Sequence, residues 1–263
     1  MSSTRSEQVV NAPSLYCNGI VPFNDPTTPN TKIDVSSGIC RDSTNTFDIN
    51  LGNYLGANPN ISSNTVTVIN TAAVGLNGLD TGTLAASTLY NIFVIADATG
   101  YNTTGCIMST AAIPIMPFGY GIYRRIGYWS TDSTVHFNPG YIFGESVSRQ
   151  FLYDKVQPTA VTSGNATSYT AIDLSALVPA VDKTPVLLSV SLIPNAAGDS
   201  LSLQPTGSSS DTFVMLGQVA AVSLVEQVKM MSVLVTGKPE ISYKVSVGTA
   251  AAGISVSGFD FTV

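Results

Sequence analysis

Apolar and polar positions alternate with a period of two along much of this chain. Lys32-Ile33-Asp34-Val35, Thr46-Phe47-Asp48-Ile49-Asn50-Leu51 and Asn64-Thr65-Val66-Thr67-Val68-Ile69 all show it. Such alternation turns successive side chains to opposite faces, so each run predicts a strand with one face on a core. Gly38, Gly52, Gly56 and Pro59 punctuate these runs. Thr88 to Ala96 is almost continuously apolar and β-branched, which predicts a central strand covered on both faces. A turn over Asp97 to Gly105 leads into Cys106-Ile107-Met108. Tyr120 to Trp129 is a further strand candidate, dense in aromatic residues, and Asp132-Ser133 predicts a hairpin turn before Val135-His136-Phe137.

The remainder reads as a second series of short strands: Ser168 to Leu174, Pro185 to Ile193, Ser200 to Leu203, Asp211 to Val214, Lys229 to Val235, Glu240 to Val247 and Gly253 to Val263. Short strands separated by turn signals fit a sandwich or jelly roll. Val219 to Val228 reads as strand, because Val is a weak helix former. Between the series, Pro139-Gly140 ends one block, and Glu145, Arg149, Asp154 and Lys155 form a charged joint. The expected fold is therefore all-β, with two β-sandwich or jelly-roll-like domains at 31–145 and 156–263. An extended arm, residues 1–30, precedes them. Pro13, Pro22, Pro26 and Pro29 forbid a continuous helix or central strand in the arm. Its apolar residues Leu15, Tyr16, Ile20, Val21 and Phe23 predict docking, either on a neighbouring subunit as an anchor or on the chain's own domain.

Composition narrows the function. Only 11% of the 263 residues are charged, against about 25% in an ordinary domain. Ser, Thr, Asn and Gly fill the polar positions, which suits close β-packing and protein–protein contact better than proton transfer. The net charge of −6 with no basic stripe argues against nucleic acid. No segment is long and apolar enough to predict a membrane helix. The three cysteines, Cys17, Cys40 and Cys106, are sparse and odd in number, which predicts reduced structural thiols and assembly in a reducing cytoplasm.

Candidate chemistry is thin. The single histidine, His136, lies near a turn and predicts a structural role rather than a place in a triad. The aspartates sit mostly in or beside turns, where Asp commonly bonds its own backbone. No catalytic residue, metal site or cofactor site is expected. Tyr120, Tyr123, Tyr128 and Trp129 invite either stacking on a sugar ring or core packing.

Lys32 to Asn45 contains Gly38-Ile39-Cys40-Arg41-Asp42-Ser43-Thr44-Asn45. It resembles a strand–Gly–x–x–Arg-Asp-Ser-Thr-Asn segment that recurs in structural proteins of tailed bacteriophages. Gly78-Leu79-Asp80-Thr81-Gly82, Tyr90 to Ile95, Pro117-Phe118-Gly119-Tyr120 and Arg124-Arg125-Ile126-Gly127 continue the pattern in order. The resemblance covers Thr31 to Phe143, with Val156 to Val263 matching loosely as a following β-domain. Cys40 stands where those proteins usually carry a basic or neutral residue. The resemblance implies a non-enzymatic virion subunit that works as an oligomer, often a trimer, and no catalytic residue.

The resulting expectation is a capsid decoration, cement or head-fibre protein. It would be assembled in the bacterial cytoplasm and attached to other virion proteins through the arm. The alternative is a tail-fibre or baseplate receptor-binding protein that recognises a host glycan. A glycan hydrolase is the remaining rival. Arg41 and Asp42 are expected to bridge to Arg124 or Arg125.

Overall fold

The computed structural model describes residues 16–52, 66–98, 103–144, 147–154, 157–181, 183–208, 213–216, 227–234 and 238–263, with the backbone alone at 213–216 and 227–234. Leu15, Glu145, Lys155, Val156, Asp211 and positions 219–226 lie outside them.

The described residues are all-β. The first half holds β1 (Cys17–Gly19), β2 (Pro22–Asn24), β3 (Lys32–Val35), β4 (Gly38–Arg41), β5 (Asp48–Leu51), β6 (Thr67–Asn70), β7 (Gly78–Leu79), β8 (Leu89–Ala96), β9 (Thr104–Ser109), β10 (Ile122–Ser130) and β11 (Gly140–Phe143). Then follow β12 (Ser148–Tyr153), β13 (Thr159–Gly164), β14 (Thr170–Asp173), β15 (Pro185–Ile193), β16 (Ser200–Pro205), β17 (Phe213–Leu216), β18 (Gln227–Leu234), β19 (Glu240–Val245) and β20 (Ala251–Thr262).

A nine-stranded sheet runs in the order β18-β15-β20-β12-β11-β2-β3-β6, with β13 paired to β20 off that path. Strands from both halves therefore share one sheet, which passes through the interval from Glu145 to Val156 where the sequence placed a boundary. β12 lies inside that interval, hydrogen-bonded to β11 on one side and to β20 on the other. The charged joint misleads because Arg149 is 2% exposed and points inward with Phe151 and Tyr153.

Smaller sheets complete the architecture: β1-β4-β5, β10-β8-β9-β7 and β14-β19-β16-β17. The aromatic side chains show how two sheets meet. Trp129 on β10 sits edge-on to Phe151 on β12, with ring centroids 5.0 Å apart. Tyr128 meets Phe259 and Phe261 of β20 in the same manner, the geometry that aromatic quadrupoles favour. At the other end, Val186, Leu188, Val190 and Leu192 of β15 are buried in the same core as Leu201, Leu203, Ile241 and Val245 of the β14-β19-β16-β17 sheet.

β8 is covered on both faces, as its composition demands. Ile92, Val94 and Ala96 enter the main core, while Phe93 and Ile95 join Ile107 beneath Met116, Tyr120 and Tyr123. The described part of the arm is not a free extension. β1 pairs with β4, and β2 inserts between β3 and β11.

Candidate functional site

The residues singled out by the sequence converge on the hairpin β4–β5. Arg41 and Asp48 are register partners across it, and their side chains form an ion pair at 2.9 Å. Arg41 Nη2 also donates to the Asn45 carbonyl at 2.7 Å, spanning the turn. Asp42 organises the turn itself. Its carboxylate accepts from the amides of Thr44, Thr46 and Phe47 at 3.1, 2.7 and 2.8 Å, and from the Thr44 hydroxyl. Burial pushes the Asp42 carboxyl up, but the bonds from Thr44, Phe47 and Thr46 outweigh it and hold it below the ordinary range. Asn45 takes the left-handed turn conformation at φ 58°, which Asn tolerates well.

The second part of the motif docks on this hairpin. The Ser43 amide donates to the Tyr123 carbonyl at 2.8 Å. Arg124, 4% exposed, donates from Nη1 to the Asp42 carbonyl at 3.3 Å and from Nη2 to the Val263 oxygen. The expected bridge is thus corrected. Arg41 pairs with Asp48, and Arg124 reaches Asp42 through its main chain, because the Asp42 carboxylate is already taken by its own turn. Arg125 lies over the Tyr128 ring, 4.9 Å from its centroid. The register slips between Arg125 and Gly127, a bulge that sets Arg124 opposite Val94 and Trp129, five positions on, opposite Tyr90, both core residues of β8. The motif glycines mark close approaches. A Cβ on Gly38 would stand 2.3 Å from the Asn18 carbonyl oxygen, and one on Gly127 would stand 2.9 Å from Ile142 Cδ1.

Of the four aromatic residues offered for sugar stacking, Trp129 and Tyr128 are buried, at 0% and 3% exposure. Trp129 also donates its indole N–H to the Asn138 carbonyl at 2.9 Å. Neither presents a ring face to a ligand, because both fill the gap between sheets. Tyr120 and Tyr123 are half-buried, and Tyr123 packs edge-on to Phe93 at 5.8 Å. Among the anchoring candidates, Ile20 is fully buried in the chain's own core, while Tyr16, Val21 and Phe23 are half-buried. Ile20 therefore packs on its own domain, the second of the readings left open by the sequence. His136 is exposed, in the turn organised by Asp132, whose carboxylate accepts from the amides of Thr134 and His136 at 2.7 and 2.9 Å.

Sequence reasoning missed Arg149. Its guanidinium donates to the carbonyls of Ile20, Ile126 and Gly19 at 2.9, 3.0 and 2.8 Å, and to Cys17 Sγ at 3.1 Å. The signal was present: in Ser148-Arg149-Gln150-Phe151-Leu152-Tyr153, period two puts Arg149 on the face of Phe151 and Tyr153. The three thiols are free and buried. Among the described residues, no group of three or more His, Cys, Asp or Glu is placed to hold a metal ion. A shallow groove beside β13, β15 and β20 is lined by Thr159, Thr162, Ser163, Ser189, Ser191 and Ser255, all uncharged.

No family model matches the chain, and no curated protein matches it. Among solved structures, a carbohydrate-binding module (CBM6cm-2) from Cellvibrio mixtus lichenase 5A, in complex with cellotriose, is similar at 11% identity and a TM-score of 0.24, over 41% of this chain and 76% of that one. At that level the likeness carries no functional weight.

Proposed function

We propose that this chain is a non-enzymatic structural subunit of a tailed-bacteriophage virion. In this reading it is a capsid decoration, cement or head-fibre protein that packs as a homo-oligomer, foremost a trimer. The carrying observation is what the recurring motif does. Arg41, Asp42 and Arg124 are all engaged in holding a hairpin, a bulged strand and Val263 together. A pattern whose polar groups are consumed by the fold specifies a scaffold. The low charge content of 11% supports the same reading, since uncharged surfaces pack closely without stranding ions.

The test is cosedimentation with empty capsids, comparing the full chain with one beginning at Tyr16. That truncation spares β1 and β2, which a cut at Thr31 would remove. Capsid binding by the full chain supports the proposal, and its loss on truncation assigns attachment to the segment ahead of β1. Failure of the full chain to bind overturns the head assignment, and adsorption to host cells then tests the tail alternative.

A further inference from the structure

Cys17 and Cys40 face each other across β1 and β4, in register. The Arg41 amide donates to the Tyr16 carbonyl at 2.8 Å, so the ladder bond falls on the neighbours of the pair. That makes Cys17 and Cys40 a non-hydrogen-bonded pair, the narrow site of an antiparallel ladder, where Cα atoms stand about 4.5 Å apart. Disulfides need a Cα separation of about 4.4–6.8 Å. The Arg149 guanidinium contacts Cys17 Sγ at 3.1 Å.

We propose that Cys17 and Cys40 form an oxidation site, closing into a cross-strand disulfide when a peroxide reaches Cys17. Cys17 is the attacking sulfur. It retains 5% exposure while Cys40 has none. The neighbouring Cys40 thiol outweighs burial, and with Arg149 and Arg124 it draws the Cys17 pKa down to about 7. The same contact and burial push the Cys40 thiol up. The Cys17 thiolate attacks one peroxide oxygen, an S–O bond forms, the O–O bond breaks and hydroxide leaves. Cys40 sulfur then displaces the sulfenic hydroxyl, its proton leaving with that group as water. Both sulfurs are oxidised by one electron each, and one peroxide is reduced. Cys106, buried on β9 and pushed well up by burial alone, takes no part. The pairing does not depend on what the chain assembles with.

The first arm of the test uses the full, unaltered chain. Reduced protein is treated with hydrogen peroxide, quenched in acid, alkylated and digested with trypsin. Cleavage after Arg5, Lys32 and Arg41 puts Cys17 and Cys40 on separate peptides. The expected product joins those peptides with the loss of two hydrogens, leaves Cys106 alkylated, and reverts with dithiothreitol. In a Cys40→Ser chain, Cys17 should stop at a sulfenic acid that dimedone traps. The proposal is overturned if both peptides stay alkylated while methionines are oxidised, or if the bridge involves Cys106.

Discussion

Arg124 and Val263 stand 139 positions apart in the chain and are hydrogen-bonded in the buried interior. The same guanidinium holds the Asp42 carbonyl, so one side chain ties the β4–β5 hairpin, β10 and the end of β20 into a single node.

Replacing Arg124 by Met should therefore strip the buried Val263 oxygen of this donor and leave the Asp42 carbonyl with the Asn45 amide alone. Hydrogen bonds to charged groups contribute about 1.5–3 kcal/mol each, so losing the two predicts a cost of about 3–6 kcal/mol. Urea unfolding monitored by Trp129 fluorescence measures it, and a loss below 1 kcal/mol (about the value of a surface pair) would contradict the node.

The hairpin makes a second, ordered prediction. Asp42→Ala strips the acceptor from the Thr44, Thr46 and Phe47 amides, whereas Arg41→Ala removes a partly exposed ion pair. The Asp42 change should cost about 2 kcal/mol and the Arg41 change about 1 kcal/mol or less. Equal melting temperatures for the two variants would contradict this ranking.

Asp42 also sets a pH dependence. Its carboxyl lies below its ordinary value in the folded chain, so the unfolded chain binds the proton more readily. The stabilisation is complete above the unfolded Asp value of about 3.9 and is lost as pH falls through the lower folded value. Asp42→Asn should be least stable relative to the parent near neutral pH, with the gap narrowing in acid. A gap constant from about pH 6 to about pH 2 would rule out that linkage.

Gly38 should tolerate no side chain. Its added Cβ meets main-chain atoms, the Asn18 oxygen at 2.3 Å and the Ile20 nitrogen at 2.6 Å, and backbone cannot swing aside. Gly38→Ala should cost about 1–3 kcal/mol. Gly121→Ala, where nothing stands within 4 Å, is the control and should shift the thermal midpoint far less.

How much of this was legible in the sequence depended on whether a segment's own pattern decides its state. Lys32 to Val35 and Pro185 to Ile193 alternate cleanly and form β3 and β15 with those bounds. β1 and β2 escaped because their strand state comes from distant partners rather than from local pattern, whereas β12 alternates cleanly and was passed over because its charged residues read as a joint. Pro22, which argued against a central strand, opens β2 between β3 and β11. Val135 to Phe137 looked like a strand, yet Asp132 draws the amides of Thr134 and His136 into a turn. Val135 takes φ 66°, and only Phe137 bridges back, to Thr131. At the site, Arg41, Asp42 and Arg124 were found by position, but composition cannot say that Asp42 spends its carboxylate locally.

The sheet shared by the two halves also bears on synthesis. Gln150 on β12 bonds Asp260 on β20 at 2.7 Å, across 110 positions. During translation the first half waits with an open edge on β12 until the strand that covers it has been made. Such long loop closures slow folding, and an unpaired edge invites misassembly in the interval. At low charge, the nascent chain has little electrostatic repulsion to guard that edge, so its yield in cells should depend on how fast β20 arrives.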